Sequence, residues 1–417
     1  MNAYLFVKIY DFLNFCLSTF KFAKETRGCM PRYIWILAIA TTISVTGGSF
    51  LWPLNTIYMH NELGKSLAFA GVILMLNQGA TIVGNLIGGF LFDKYSPYKT
   101  IIYGTLLSLG AASLLSIFHA NIFGYALFLI LIGFGTGVTW PVMFAMAGSL
   151  WPEGGRRAFN AVYVAQNLGV AVGATLGGYV ASISFNYIFI ANASLFAVFL
   201  IFVMVTFRGM DQERDRQMHT TVFQQKKSIK DRTAFISLII LSLGFLFVWL
   251  AYSQWQTTIA SHTQDIGIPL EKYSMLWAIN GFLIVLGQPL IKWVTERITS
   301  EHMQIYIGNL ILLISFVIAL FAKDFTFFVV SMTILTLGEM LVWPAIPTLA
   351  NNLAPPGRAG FYQGFVNSVA AGGRMLGPVL GGMIVDYYNI EILFYFLFVI
   401  MFVPFITTRL YRVGHER

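Results

Sequence analysis

Charged residues are scarce in this chain. Only 11% of its 417 residues are Asp, Glu, Lys or Arg, against about a quarter in a soluble domain. That shortage excludes an ordinary water-facing surface. Cysteine is scarcer still. Cys16 and Cys29 are the two in the chain, both lie before the first long apolar run, and no disulfide framework is implied. No histidine stands in a metal-ligand spacing such as H-E-x-x-H. His60, His119, His219, His262, His302 and His415 all fall in loops or near the ends of apolar runs, which argues against a metal-dependent enzyme; no cofactor and no metal are expected. Segments of alternating polarity, the mark of a membrane β-barrel, are missing too.

What is present is apolar: 57% of residues are hydrophobic and the mean hydropathy is +0.72. Runs of about 20 such residues, each long enough to cross ~30 Å of hydrocarbon, recur from end to end. An all-α membrane protein follows, because in lipid only helices and closed barrels satisfy their own backbone. The pattern predicts twelve transmembrane helices, near 33–56, 67–92, 100–118, 122–149, 158–183, 186–207, 233–260, 272–295, 302–322, 325–351, 358–385 and 389–410. They fall into an N-terminal six-helix bundle over 33–207 and a C-terminal bundle with a short tail over 233–417, joined by a basic linker at 208–232. Residues 1–32 form an N-terminal extension. Its stretch Tyr4–Phe22 is apolar and aromatic but broken by charge, and reads either as an interfacial helix or as a product of start-site choice, with translation beginning at Met30.

Orientation follows from the basic residues. With these spans, 22 of the 26 Lys and Arg lie at the termini or in alternate loops on one side, against three (Lys65, Lys272 and Lys323) on the other. Both termini are therefore expected in the cytoplasm, in a multi-pass protein of the cell membrane. The net charge of +8 is a consequence of that topology, and no nucleic-acid partner is expected.

The halves repeat at an offset of 203 residues. Trp52 matches Trp255, Asn77 matches Asn280, Asp93-Lys94 matches Glu296-Arg297, and Trp140-Pro141 matches Trp343-Pro344. One residue later in offset, Gly169, Gly173, Gly177 and Gly178 match Gly373, Gly377, Gly381 and Gly382. Six helices per repeat is an even number, so the halves are pseudo-symmetric about an axis along the membrane normal, with substrate at mid-depth between them.

Gly89-Phe-Leu-Phe-Asp93-Lys94, between the second and third spans, resembles the G-x-x-x-D-[RK]-x-G-[RK]-[RK] loop of the major facilitator superfamily. Ser96 stands where that signature has its second glycine, and Pro97-Tyr98 replaces the basic pair. The resemblance implies the major facilitator fold and a latch role for the loop acid at the cytoplasmic face. Glycines four apart stack on one helix face and let another backbone approach. The stripe in span five also resembles the glycine-rich fifth helix of drug/proton antiporters, although the Gly-Pro of that motif occurs here in the repeat copy, at Gly377-Pro378. Gly89, Asp93, Lys94, Gly173, Gly177, Gly377 and Pro378 are thus the candidate gating residues. TLGEMLVWPAIPTL around Glu339 and Tyr163-Val-Ala-Gln166-Asn167-Leu-Gly resemble bacterial multidrug/proton antiporters of the twelve-helix drug-efflux group. In that group an acid of the tenth helix binds protons and cationic drug, and Glu339 occupies its position.

Away from the ends of the predicted spans, Glu339 and Arg374 are the two full charges. An ionisable side chain at mid-membrane costs about 2.5 kcal/mol or more and marks a functional site by default. Counted from the cytoplasmic ends of their helices, the two differ in depth by roughly one turn. They read either as a permanent buried pair or as a switchable proton site, since burial favours the neutral acid and a nearby cation the charged one. Ser49, Trp52, Asn55, Trp140, Tyr163, Gln166, Tyr252, Trp255 and Trp343 are the candidate substrate contacts. They supply aromatic walls and a few polar groups, suited to lipophilic cations through apolar contact and cation–π attraction.

The combination predicts a proton-coupled transporter that exports lipophilic or cationic small molecules by alternating access. Its partners would be a small-molecule substrate, protons and the bilayer, and it would act as a monomer. Two other readings stand beside it: a symporter or uniporter of an anionic metabolite clamped by Arg374, and a non-transporting membrane receptor or scaffold.

Overall fold

The computed structural model describes residues 30–51, 54–55, 58–65, 67–210 and 231–415. The N-terminal extension before Met30, Trp52, Thr56 and most of the basic linker lie outside these residues. Among the described residues, ten helices are long and apolar enough to cross a membrane, and one bent pair makes an eleventh. In chain order the first half holds α1 (Arg32–Leu51), α2 (Leu67–Lys94), α3 (Pro97–Phe118), α4 (Ile122–Leu150), α5 (Arg156–Ile183) and α6 (Phe185–Thr206). The second half holds α7 (Asp231–Tyr252), α8 (Thr258–Asp265), α9 (Leu270–Leu286), α10 (Gln288–Arg297), α11 (Glu301–Leu320), α12 (Phe325–Leu353), α13 (Ala359–Tyr387), α14 (Ile390–Ile400) and α15 (Val403–His415). The expected fifth span, α5, has 28 residues, ample length at 1.5 Å per residue. Its Arg, Asn, Gln and Gly content leaves it outside the helices that pass on apolarity.

Local chemistry sets the helix ends. Ser96 accepts a hydrogen bond from the Lys99 N–H, and Pro97 follows at the first helical position. This side-chain cap and pre-set φ start α3 where the related loop signature has a glycine. Asn121, Ser184, Asp324 and Asn389 cap α4, α6, α12 and α14 in the same way. Three expected spans are interrupted. The seventh tightens to a 3₁₀ turn at Ser253–Gln256 before α8. The eighth bends by 55° between α9 and α10, beside Pro289. The twelfth breaks between α14 and α15, beside Pro404. Proline has no N–H for the carbonyl four residues back, so a helix yields there.

The repeat is visible in the packing. Gly169, Gly173 and Gly177 bring α5 against Thr42, Val45, Thr46, Ser49 and Phe50 of α1. Gly373, Gly377 and Gly381 bring α13 against Leu246, Trp249 and Leu250 of α7 and Ser253 and Gln254 of the turn that follows it. A Cβ on Gly173 or Gly377 would collide with the facing helix. Ser49 is thereby buried as packing under Gly173, which corrects its expected place on the cavity wall. Trp255 is corrected for the same reason. It is fully buried in the second-half core, edge-on to Phe328, and its carbonyl accepts from the Tyr273 hydroxyl.

One apolar cluster fills the second half and two fill the first; a fourth spans both, with Tyr163 of α5 among Ile284, Ile291, Met340 and Leu341. The halves meet chiefly through α2 lying along α13, with α5 against α9 and α12. Gly89 and Gly360 touch backbone to backbone. Ser368 donates to the Ile82 carbonyl at 3.1 Å, and Asn160 to Gln288 at 2.7 Å.

Candidate functional site

Glu339 is the midpoint of the 29-residue α12 and is 3% exposed. Its carboxylate is held by neutral donors. Tyr252 Oη donates to Oε2 at 3.1 Å and Asn280 Nδ2 donates to the same oxygen at 2.9 Å. Asn280 is itself positioned by Thr336, at 2.9 Å. The buried Tyr163 hydroxyl faces the carboxylate from the first half but makes no hydrogen bond of good geometry. The acid therefore sits where α7, α9 and α12 of one half meet α5 of the other. A carboxylate in that position can take up or release a proton, and any change in the approach of the halves changes its surroundings.

Arg374 does not pair with Glu339. Its guanidinium lies over the Trp249 indole, 4.6 Å from the ring centroid, while the carboxylate is taken up by Tyr252 and Asn280. Of the two readings of these charges, the permanent buried pair is not what the structure holds. Similar depth along two helices does not make two side chains face each other: Arg374 stacks on Trp249, Trp249 packs on Tyr252, and Tyr252 holds Glu339. Trp249, Tyr252 and Trp343 lie with ring centroids 5.0 to 5.4 Å apart, and Phe245 packs against Trp249 and Trp343.

The other expected contacts scatter. Trp140 and Gln166 line a small cavity of about 10 Å³ in the first half, with Thr41, Ser44, Val45, Thr139 and Met143. Asn55 accepts from the Tyr125 hydroxyl at 2.6 Å, in an aromatic cluster with Tyr58, His119, Phe185 and Phe189 at the end of the bundle away from the basic loops. Of the candidate substrate contacts, Tyr163, Tyr252 and Trp343 are the ones gathered around Glu339.

Of the candidate gating residues, Gly173 and Gly177 pack on α1 and Gly377 on α7, while Gly89 and Asp93 meet the start of α13. Asp93 accepts from the Gly360 N–H at 2.8 Å and the Phe361 N–H at 2.7 Å, so a carboxylate of the first half caps the start of α13 in the second. Charge and orphan donors both favour that contact. Lys94 turns outward over the Phe90 ring at 4.8 Å. The repeat copy behaves differently: Glu296 pairs with exposed Lys292 at 3.9 Å on its own helix.

Two residues escaped sequence reasoning: Asn280, which donates to Glu339, and Arg156. Arg156 reads as a solvated loop cation, yet its Nη2 donates to the Met340 carbonyl at 2.8 Å and reaches the Leu341 carbonyl at 3.4 Å. Met340 is free to accept because Pro344, four residues on, has no N–H to return. The signal available in the sequence was Pro344 itself: a proline inside an apolar helix leaves a carbonyl that some donor must satisfy.

Comparison with known proteins bears on this geometry. A sequence profile described as Major Facilitator Superfamily matches residues 37–303 and 256–417. A Bacillus subtilis (strain 168) protein described as "Uncharacterized MFS-type transporter YttB" is 54% identical over 383 residues, covering 92% of this chain and 96% of its own. "Multidrug resistance protein MdtH" of Aeromonas salmonicida is 25% identical over 364 residues, covering 86% and 88%. Among solved structures, the human organic anion transporter MFSD10 (TETRAN) superposes with a TM-score of 0.73 over 91% of this chain and 100% of its own. Its identity of 13% makes that a likeness of fold.

Proposed function

Because this chain belongs to the major facilitator superfamily, whose members are transporters and not enzymes, we propose that it is a proton-coupled exporter of lipophilic small molecules, cationic ones among them. A small-molecule substrate and a multi-pass place in a membrane follow from the family. The finer reading rests on one observation: Glu339 is enclosed at the middle of α12 by neutral donors, where the halves meet. A lone acid in such a site carries a proton, and its exposure alternates as the halves rock about it. Tyr163, Tyr252 and Trp343 then line the substrate path beside it.

On this reading the twelve spans form two bundles, 33–207 and 233–417, working as a monomer in the cell membrane with both termini in the cytoplasm. The closed contacts at Gly89–Gly360 and Asp93–Gly360 belong to the end with the basic loops, and Arg156 reaches inward from that end to Met340. The conformation is therefore closed to the cytoplasm, with Asp93 as the latch. The 25% identity to a protein described as "Multidrug resistance protein MdtH" supports drug-like molecules as the substrates on this reading.

The test uses cells with and without the protein, loaded with neutral, cationic and anionic lipophilic dyes. Export should be abolished by a proton uncoupler. Glu339→Gln keeps size and hydrogen bonding but fixes the neutral form. Uphill export should collapse at least about tenfold, the effect of roughly 1.4 kcal/mol, while dye exchange persists. Wild-type uphill export by Glu339→Gln refutes the proposal.

A further inference from the structure

The layer that separates Arg374 from Glu339 is itself a site with donors and no acceptor. The Arg374 guanidinium is stacked on Trp249, and the Trp249 indole N–H is buried without a hydrogen-bond partner. The carboxylate of the region is engaged elsewhere, by Tyr252 and Asn280. A guanidinium inside the bundle with no acid partner is costly, and so is a buried donor with no acceptor. Both are retained here, side by side.

Helix register gives their direction. Gly373 and Gly377 of α13 face α7, and Gly364 and Ser368 face α2. Leu376, Val379 and Met383, on the opposite side, are exposed to the surroundings of the bundle. Arg374 stands on the strip between the first two faces, away from the exposed one. The cation is thus turned to the inside, where α2 of one half and α7 of the other converge. Its floor is aromatic, and Trp249 and Trp343 keep part of their surface uncovered.

We propose that Arg374 and the Trp249 N–H bind an anionic group on the transported molecule, a carboxylate or sulfonate carried by an aromatic system. A guanidinium presents a planar fork of donors that matches such oxyanions two at a time. The Trp249, Tyr252 and Trp343 rings supply the apolar contact for the rest of the molecule. The inference deepens the transport reading and rests on it. A basic centre on the same molecule would face Glu339 across the aromatic layer, so amphoteric aromatic compounds satisfy both ends.

The test is equilibrium binding to the full chain in nanodiscs of zwitterionic lipid, read by tryptophan quenching. The probes are 2-naphthalenesulfonate, its neutral sulfonamide, and a naphthyl trimethylammonium. Wild-type protein should bind the sulfonate at least about tenfold more tightly than the sulfonamide, a difference of roughly 1.4 kcal/mol. Arg374→Gln should bring the two within about twofold, and Arg374→Lys should keep part of the preference. Should the Arg374 variants fail to fold, Trp249→Phe keeps the inference open to refutation: it removes one donor and should weaken the sulfonate several-fold with the sulfonamide unchanged. Equal binding of sulfonate and sulfonamide by the wild type overturns the proposal, as does a preference that survives Arg374→Gln, or binding of none of the three. Displacement of the sulfonate by adding phosphatidylglycerol to the nanodisc assigns the site to a lipid headgroup and overturns it too. Each of these leaves the Glu339→Gln export assay standing, so failure of the anion site and failure of proton coupling are read separately.

Discussion

At position 339 the second half carries a glutamate; 203 positions earlier the first half carries Thr136. The threonine returns its hydroxyl to its own helix, at 2.8 Å from the Ile132 carbonyl, and asks nothing of its neighbours. The glutamate needs Tyr252 and Asn280 from two other helices. Asn77, the repeat mate of Asn280, spends its amide on the Leu129 carbonyl at 2.7 Å. By the 203-residue offset Trp249 corresponds to Thr46, and by the glycine stripe's offset, one residue longer, Arg374 corresponds to Val170. The halves share a backbone plan and divide the labour. The second half holds the intramembrane charges, and the first reaches across with Asp93, Arg156 and Tyr163. Backbone packing tolerates duplication because it depends on shape, whereas a buried charge must be satisfied by particular partners, and those were built once.

The shared part of the plan should break alike in both halves, and most severely. A Cβ on Gly173 or Gly377 has no room against α1 or α7, whereas one on Gly110 meets nothing within 4 Å. Gly173→Ala and Gly377→Ala should each cost about 1–3 kcal/mol and cut the yield of folded protein to a similar extent. Gly110→Ala should be neutral or stabilise by about 0.4–1 kcal/mol. Size-exclusion yield and thermal unfolding report this; a tolerant Gly173 beside an intolerant Gly377 would end the symmetry.

The divided part should break in one half only. Asp93→Ala removes the carboxylate cap on Gly360 and Phe361, a loss of about 1–2 kcal/mol. The ratio of closed to open states should fall roughly 5- to 30-fold. Glu296→Ala, which breaks only an exposed pair with Lys292, should do nothing measurable. Cysteine-accessibility labelling at the basic-loop end of the bundle separates the two; an equal rise in both would restore symmetry to the latch.

The smallest effect belongs to a cluster that exists in the first half alone, where His119 meets Tyr58 and stacks on Phe189 at 4.7 Å. Its counterpart by the repeat is Ala322. Burial lowers the His119 pKa below 6.5, and burial with Glu62 nearby raises that of Tyr58 to about 12. The packed state therefore prefers a neutral imidazole. Its contribution is full above pH 6.5 and is lost as pH falls through that value, because the unpacked histidine takes a proton that the packed one resists. Protection from hydrogen exchange in residues 58–62, corrected for the intrinsic pH dependence of amide exchange, should fall modestly between pH 7.5 and pH 5.5, and His119→Gln should flatten the change; a pH-independent protection factor in the parent chain would count against it.

Much was legible in advance. Length, apolarity and the basic loops follow from transfer energies that each residue carries independently of its neighbours. The repeat was readable for a similar reason: glycine stripes and Trp-Pro pairs recur in register. Glu339 stood out because an acid in an apolar run has a cost whatever it touches.

Pairing was not legible. Rise per residue placed Glu339 and Arg374 at similar depth, but depth along two helices says nothing of which way each is rotated. The tertiary structure put Trp249 and Tyr252 between them. It also buried Ser49 and Trp255 as packing and moved Asn55 to the far end of the bundle. Arg156 shows the same limit from the other side. The sequence by itself determined that Pro344 would leave a carbonyl without its N–H, since that is covalent chemistry. Only the packing of the first half on the second decided that Arg156 would answer it.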